Sequence, residues 1–111
     1  MTTDKGKMGN DVRIFDNDDN AYLAWLDHYL DGFVINTTRS RNASYMVLHR
    51  AGCPHISIPR KMVGPGGFTE REYIKICSIN VESLRKWVRE NGRRDGSFSS
   101  ECPCVEQENA Y

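Results

Sequence analysis

The segment that decides the fold is FVINTTRSRNASYMVLH, residues 33–49. Residues 33–37 and 45–49 are rich in β-branched, aromatic and aliphatic side chains, which favour strands. The seven residues between them are polar and typical of a turn. The segment therefore predicts a β-hairpin whose basic tip carries Arg39 and Arg41.

An amphipathic helix is predicted immediately before the hairpin, over residues 19–31. Its apolar side chains recur at helical spacing. The Asp and Asn residues of 16–20 supply N-cap candidates and place negative charge where the helix dipole favours it. Gly32 follows as the predicted C′ residue, and a short strand is predicted within residues 12–15.

A long connection follows the hairpin, from about residue 50 to residue 69, and holds three prolines and four glycines. A connection of this length without regular structure is typical of a functional loop or of a constraint such as a bound metal. Alternation over residues 72–77 predicts another strand. A second helix is predicted from the N-cap Asn80 to about Asn91. Its predicted buried stripe consists of Val81, Leu84, Trp87 and Val88.

Together these elements predict an α+β fold: a small sheet of three to four mostly antiparallel strands packed against two helices, with a long Gly/Pro loop and a Cys-containing tail. We predict a flexible arm over residues 1–10, one domain over 11–104 and a disordered acidic tail over 105–111. No apolar run approaches the roughly 20 residues of a membrane helix, and the N-terminal residues lack the apolar region of a signal peptide. A cytoplasmic location with reduced thiols is therefore expected.

Charge is unevenly distributed along a chain whose formal net charge is zero. Acidic residues exceed basic ones by four in residues 1–31 and by three in residues 97–111, whereas basic residues are in excess by seven in residues 32–96. Because a partner responds to the local potential, the middle segment predicts an anionic partner. The competing interpretation is that the acidic helix packs beside the basic sheet and cancels its field.

Two similar tripeptides, CPH at residues 53–55 and CPC at 102–104, predict a metal site. Structural Zn²⁺ is bound tetrahedrally by four cysteine and histidine ligands, and three cysteines with one histidine are a standard set. A shared metal would tie the long loop to the tail, two segments with little core of their own. The predicted zinc ligands are Cys53, His55, Cys102 and Cys104.

The ligand prediction leaves alternatives open. His49 is a substitute for His55, and Cys77 is a further candidate, although its position inside a strand favours a buried core thiol. The other cysteines are alternatively packing residues, or partners in a disulfide that forms on oxidation. A catalytic pair of His49 and Cys77 is a further alternative, because the two residues end neighbouring predicted strands. No phosphate loop, dinucleotide fingerprint, zinc-protease or EF-hand motif is present, so we predict a protein that is not an enzyme.

The basic residues of the middle segment predict contacts to nucleic acid, because Lys and Arg side chains that neutralise phosphates release counterions. Tyr45 or Tyr73 is predicted to stack on unpaired bases. The competing interpretation is an ordinary solvated charged face. The predicted contact residues, for nucleic acid or another partner, are Arg39, Arg41, Arg50, Arg60, Lys61, Arg85, Lys86, Arg89, Arg93 and Arg94.

The strings GFVIN (32–36), YMVLHRAGC (45–53) and YIKICS (73–78), with Leu84-x-x-Trp87 and a terminal cysteine pair, resemble small uncharacterised bacterial and phage-encoded domains. Some of these domains occur near restriction-type nucleases, so the resemblance implies a role in mobile-element or defence biology. The positions that the resemblance singles out are His49, Arg50 and Cys53. The leading hypothesis is a small nucleic-acid-associated accessory module. Its rival is a protein–protein interaction factor, such as a phage-type inhibitor of a host defence complex.

Overall fold

A computed structural model describes residues 11–57 and 66–107. The predicted arm over residues 1–10, the contact candidates Arg60 and Lys61, and the end of the predicted tail lie outside the described residues. The elements in chain order are β1 (Arg13–Phe15), α1 (Asp19–His28), β2 (Phe33–Thr38), β3 (Met46–Arg50), α2 (Pro54–Ser57), β4 (Tyr73–Ser78), α3 (Val81–Glu90), β5 (Ser100–Glu101) and α4 (Pro103–Gln107).

The strands form one five-stranded sheet in the order β1-β4-β2-β3-β5. The first four strands pair antiparallel, and β5 pairs parallel with β3. The α+β class and the hairpin are confirmed. The predicted numbers of elements, three to four strands and two helices, were too low, because the described residues form five strands and four helices. Each added element is short: β5 has two residues, while α2 and α4 have four and five. Elements this short carry too little periodicity to be detected in a sequence.

Helices α1 and α3 pack on opposite faces of the sheet. On β2, Val34 belongs to the core beneath α1, whereas its neighbour Ile35 belongs to the core beneath α3. On β4, Cys77 and Ile76 divide in the same way. Successive side chains of a strand point to opposite faces, so the sheet lies between two separate apolar layers.

Helix α1 begins as predicted but ends three residues early. Asp18 is its N-cap, and its Oδ1 accepts a hydrogen bond from the backbone N–H of Ala21 at 2.9 Å. The helix ends at His28, whereas the prediction carried it to residue 31. Gly32 is buried, and a Cβ at this position would lie 2.7 Å from Cη2 of Trp25. Gly32 is thus required for close packing of the β2 start against α1.

Helix α3 matches its prediction closely. Oδ1 of Asn80 accepts from the backbone N–H of Glu82 at 2.8 Å, and Leu84, Trp87 and Val88 are buried. Across residues 11–57 and 66–107, no helix combines the length and apolar character that crossing a bilayer demands.

The chain that leads into β4 is fixed to α1 by partly buried polar contacts and to β4 by a buried one. The carboxylate of Asp19 accepts from the backbone N–H groups of Phe68 and Thr69, at 3.2 and 2.7 Å. The ammonium of Lys75, which is 3% exposed, donates to the carbonyl oxygen of Phe68 at 2.6 Å. These contacts give the end of the long connection a defined position against the sheet.

Candidate metal centre

The parallel pairing of β5 with β3 brings the tail cysteines to the sheet. Val47 pairs with Ser100 and Leu48 with Glu101. The backbone N–H of Cys102 continues this ladder by donating to the carbonyl oxygen of Leu48 at 2.8 Å. Cys102 therefore lies alongside the end of β3, next to His49.

Four ligand atoms, one each from His49, Cys53, Cys102 and Cys104, all lie within 4.8 Å of one another. The first three residues are buried and Cys104 is partly buried. Three thiols and an imidazole gathered in this way could hold a metal ion. The loop after β3 and the tail after β5 therefore meet at these four residues.

His55 also lies against these thiols. Its Nδ1 is 3.5 Å from Sγ of Cys53 and 3.5 Å from Sγ of Cys102, and the two sulphur atoms are 3.7 Å apart. We refer to His49, Cys53, His55, Cys102 and Cys104 as the Cys/His cluster. The two imidazoles differ in environment: His49 is 7% exposed on β3, whereas His55 is exposed on α2.

Two features beyond the distances suit a metal. The backbone N–H of Arg50 donates to Sγ of Cys104 at 3.3 Å, a contact that favours the thiolate form. Nδ1 of His49 is buried and has no hydrogen-bond partner within residues 11–57 and 66–107. A buried polar atom without a partner costs free energy, and a nearby cation would remove that cost.

Burial sets the protonation of most of the cluster. Desolvation lowers the pKa of His49 to about 4, so its imidazole is neutral and able to act as a ligand at neutral pH. Desolvation raises the pKa of Cys53, and it raises the pKa of Cys104 to about 12. For Cys102, burial alone would raise the pKa, but hydrogen bonds from Cys104, His55 and Cys53 lower it overall. Binding of a divalent cation would have to displace protons from these thiols.

Cys77 stands apart from this cluster. It lies on β4, where it pairs with Val34 of β2, and Val34 in turn pairs with His49 of β3. The proposed meeting of His49 and Cys77 assumed neighbouring strands, and that assumption was wrong because β2 lies between them. Cys77 is fully buried, and desolvation raises its pKa far above the ordinary range of a thiol.

Two of the predicted contact arginines are engaged within the fold. The guanidinium of Arg39 donates to the backbone carbonyls of Arg71, Asp16 and Thr69 at 2.9, 2.7 and 2.8 Å. Arg93 donates from Nε to the carbonyl of Ser97 and from Nη1 to that of Ala43, both at 2.7 Å. Both side chains therefore hold chain segments together.

Five other predicted contact residues surround α3 and the β2–β3 turn. The guanidinium of Arg41 lies 6.0 Å from the ring centroid of Trp87, which places the turn against α3. Within α3, Arg85 pairs with Glu82 at 3.3 Å and Lys86 with Glu90 at 2.6 Å. We refer to this group as the α3 surface: Arg41, Arg85, Lys86, Arg89 and Arg94.

Arg50 lies elsewhere, with its guanidinium 4.9 Å from the ring centroid of Phe33. The two tyrosines that were predicted to stack on bases lie on the other side of the sheet. Tyr45 and Tyr73 are each 37% exposed, and their ring centroids are 5.7 Å apart. Tyr73 alternates with Ile74 of the α3 core, so this pair faces away from α3.

No protein-family model, curated protein or solved structure matches this chain. The candidate site therefore rests on its own geometry. The two tripeptides predicted the three cysteines and His55 as ligands, with His49 only as a substitute. Strand β5 places Cys102 beside His49. A prediction of this two-residue strand would have made His49 as strong a ligand candidate as His55.

Proposed function

We propose that this chain is a zinc-stabilised binding protein that contacts nucleic acid through the α3 surface. Zinc is bound by Cys53, Cys102 and Cys104 together with His55. The metal holds the loop after β3 and the tail after β5 against the edge of the sheet. It supplies stability and takes no part in a reaction.

The observation that carries the metal proposal is the spacing of three donor atoms. Zn–S and Zn–N bonds of about 2.3 and 2.05 Å at tetrahedral angles require sulphur–sulphur and sulphur–nitrogen separations of about 3.8 and 3.6 Å. Cys53 and Cys102 are 3.7 Å apart, and Nδ1 of His55 is 3.5 Å from each. Soft thiolates with an imidazole favour zinc over magnesium or calcium, which prefer oxygen.

A structural role is favoured by the number of protein donors. Catalytic zinc keeps one position for water or substrate and typically has three protein ligands. Here three thiols and the imidazole of His49 lie within 4.8 Å of one another, and His55 contacts two of the thiols, so four protein donors can fill a tetrahedral site. Cys53 and Cys102 are 2% and 8% exposed.

Support for nucleic acid comes from two exposed arginines of the α3 surface. Arg89 and Arg94 are exposed and form no ion pair with any described residue. Arg41 extends the same surface from the β2–β3 turn. Exposed arginines along one helix and its exit suit phosphate contacts, which provide affinity without sequence specificity.

Elemental analysis of protein purified without added zinc tests the metal. We expect one zinc per chain, its loss in Cys102→Ser, and a lower melting temperature of that variant. Cys77→Ala is the matched control, because it removes a buried thiol outside the cluster and should retain the zinc. The zinc proposal would be refuted if wild-type protein contained no metal and melted at the same temperature with and without added zinc.

The nucleic-acid proposal is tested by oligonucleotide binding as a function of salt. The logarithm of the association constant should fall linearly with the logarithm of salt concentration, by about 0.9 for each phosphate contact in duplex DNA. Replacing Arg89 and Arg94 by Glu should reduce that slope by about two. The control is Arg13→Glu, because Arg13 lies on β1 beside Phe15, away from the α3 surface. Equal slopes in all three proteins would reject this surface.

A protein partner is the second candidate, and exposed apolar residues favour it. Leu30 and Ile79 are 62% and 58% exposed, and Tyr29 is 39% exposed. Tyr29 and Ile79 line one small cavity together with Trp25. A factor of this kind would bind one protein stoichiometrically and would ignore free oligonucleotides. Charge reversal on the α3 surface would then leave binding unchanged, whereas Ile79→Asp would weaken it.

A further inference from the structure

The Cys/His cluster contains two thiols that come from distant parts of the chain and nearly touch. Cys53 follows β3, Cys102 follows β5, and the two residues are 49 positions apart in sequence. Their Sγ atoms are 3.7 Å apart. A disulfide requires about 2.05 Å, so the sulphur atoms must approach by less than 2 Å.

We propose that Cys53 and Cys102 form a reversible redox site, at which hydrogen peroxide converts the two zinc-bound thiolates into a disulfide and releases the metal. This inference rests on the proposed zinc centre. One thiolate attacks peroxide, the O–O bond breaks, and a sulphenic acid and hydroxide form. The second thiolate attacks the sulphenic sulphur, the S–S bond forms, and a second hydroxide leaves.

The electrons balance within these two steps. The two sulphur atoms together lose two electrons, and the peroxide gains both. Two protons supplied by the buffer convert the two hydroxides into water, so the products are one disulfide, two water molecules and free Zn²⁺. The metal leaves because a disulfide has lost the thiolate charge that bound the cation.

The geometry selects this pair among the cysteines. Cys102 and Cys104 are two residues apart within one turn, so a bond between them would close a small ring and distort the start of α4. Cys104 is held by the N–H of Arg50, whereas Cys77 lies on a different strand behind Val34. Cys53 and Cys102 face each other across the cluster, with the exposed imidazole of His55 beside both sulphur atoms.

The bond would also preserve the join that the metal makes. Cys53 and Cys102 connect the same two segments that zinc connects, so the tail stays attached to the sheet after the metal leaves. His55 and Cys104 become free of the metal. Oxidation therefore replaces the zinc site by a disulfide between the same two segments. Reduction in the presence of zinc restores the zinc site.

The test uses the zinc-loaded full chain, after its zinc content has been measured. The protein is treated with stoichiometric hydrogen peroxide, and released zinc is followed with a chromogenic chelator. Free thiols are then alkylated, and the protein is digested with trypsin without reduction. Cleavage after Arg50, Arg60 and Arg94 places Cys53 in fragment 51–60 and both tail cysteines in fragment 95–111.

The expected result is one zinc released per cross-link between fragments 51–60 and 95–111, with Cys104 alkylated. A thiol reductant with added zinc should restore both the thiols and the metal. Cys104→Ser should still form the cross-link, and Cys53→Ser should not. Three outcomes would overturn the inference: retained zinc under conditions that oxidise N-acetylcysteine, a disulfide confined to fragment 95–111, or oxidation beyond sulphenic acid without a cross-link. A chain that carries no zinc before peroxide is added contradicts the proposed zinc centre instead.

Discussion

Cys102 donates its backbone N–H to the carbonyl oxygen of Leu48 at 2.8 Å, and this bond continues the pairing of β5 with β3 that aligns the tail with the edge of the sheet. This pairing brings potential metal ligands together, because the next residue of β3 is His49 and the next element of the tail carries Cys104. The cluster is thus assembled by main-chain pairing, while the side chains provide the donors. Substitutions of these donors should change metal affinity more than they change the fold.

The first prediction concerns the choice between the two imidazoles. His55→Ala should lower zinc affinity by roughly tenfold or more, because His55 provides the nitrogen at tetrahedral spacing. His49→Ala should have a smaller effect, and the double variant should bind more weakly than either single one. Affinities are measured by competition with a chromogenic chelator.

His28→Ala is the matched control for His55, since both histidines are exposed and His28 lies on α1, outside the cluster. A larger loss of affinity in His49→Ala than in His55→Ala would show that the buried imidazole is the fourth ligand.

The second prediction concerns Arg39, whose guanidinium donates to three backbone carbonyls in two chain segments, at Asp16 and at residues 69–71. Arg39→Ala should lower the free energy of unfolding by about 2 kcal/mol, because three charge-assisted hydrogen bonds are lost at a partly hydrated site. Arg39→Lys should recover little of this, since an ammonium lacks the planar fork that reaches all three carbonyls. Urea denaturation provides the measurement.

Arg94→Ala is the control, and it should change stability by less than about 0.5 kcal/mol because Arg94 is exposed and unpaired among the described residues. Equal stability of the Arg39 and Arg94 variants would show that the three carbonyl contacts contribute nothing.

The third prediction is a pH dependence that arises from Lys75. Burial lowers the pKa of Lys75 from 10.5 to about 8, although the nearby Asp19 opposes the shift. Between about pH 8 and pH 10.5 the unfolded chain binds more protons at this residue than the folded chain. The contribution of Lys75 to stability therefore rises with pH across this window, by about 3 kcal/mol in total.

Lys75→Met removes that dependence while keeping the aliphatic chain. The free energy of unfolding of Lys75→Met should exceed that of wild type by the largest amount at pH 7. This difference should become progressively smaller at pH 8, 9 and 10. Taking the difference between the two proteins cancels the contribution of Tyr22, whose raised pKa acts in the opposite direction. A difference that stays constant with pH would mean that Lys75 keeps its ordinary pKa in the fold.

The fourth prediction compares two glycines. Gly32→Ala should destabilise the protein by about 1–3 kcal/mol, because its Cβ would overlap Cη2 of Trp25 and lie 3.1 Å from the carbonyl oxygen of Tyr29. Gly52→Ala should be neutral or slightly stabilising, since a Cβ there has no neighbour within 4 Å. Thermal denaturation of both variants measures the difference. Similar melting temperatures of the two variants would show that Trp25 repacks around the new Cβ at no cost in stability.

Much of the architecture is encoded locally and could be predicted. The hairpin follows from two β-rich runs separated by a polar turn, and α3 follows from its cap Asn80 and its apolar stripe. The end of α1 was missed because Tyr29 and Leu30 continue an apolar helical pattern, although both are exposed. Their exposure is set by the tertiary packing, and a pattern of residue types contains no such information.

The sequence by itself determined the α+β class, the two main helices, the central strands, and the identity of the cysteines and histidines that could bind a metal. Only the tertiary structure decided which of those donors meet, since parallel pairing of β5 with β3 joins residues about 50 positions apart. It also separated Cys77 from His49 by inserting β2, and it committed Arg39 and Arg93 to backbone carbonyls. Local patterns reflect interactions between near neighbours in the chain, whereas a metal centre and a charged surface depend on contacts between distant segments, which strand order and register establish.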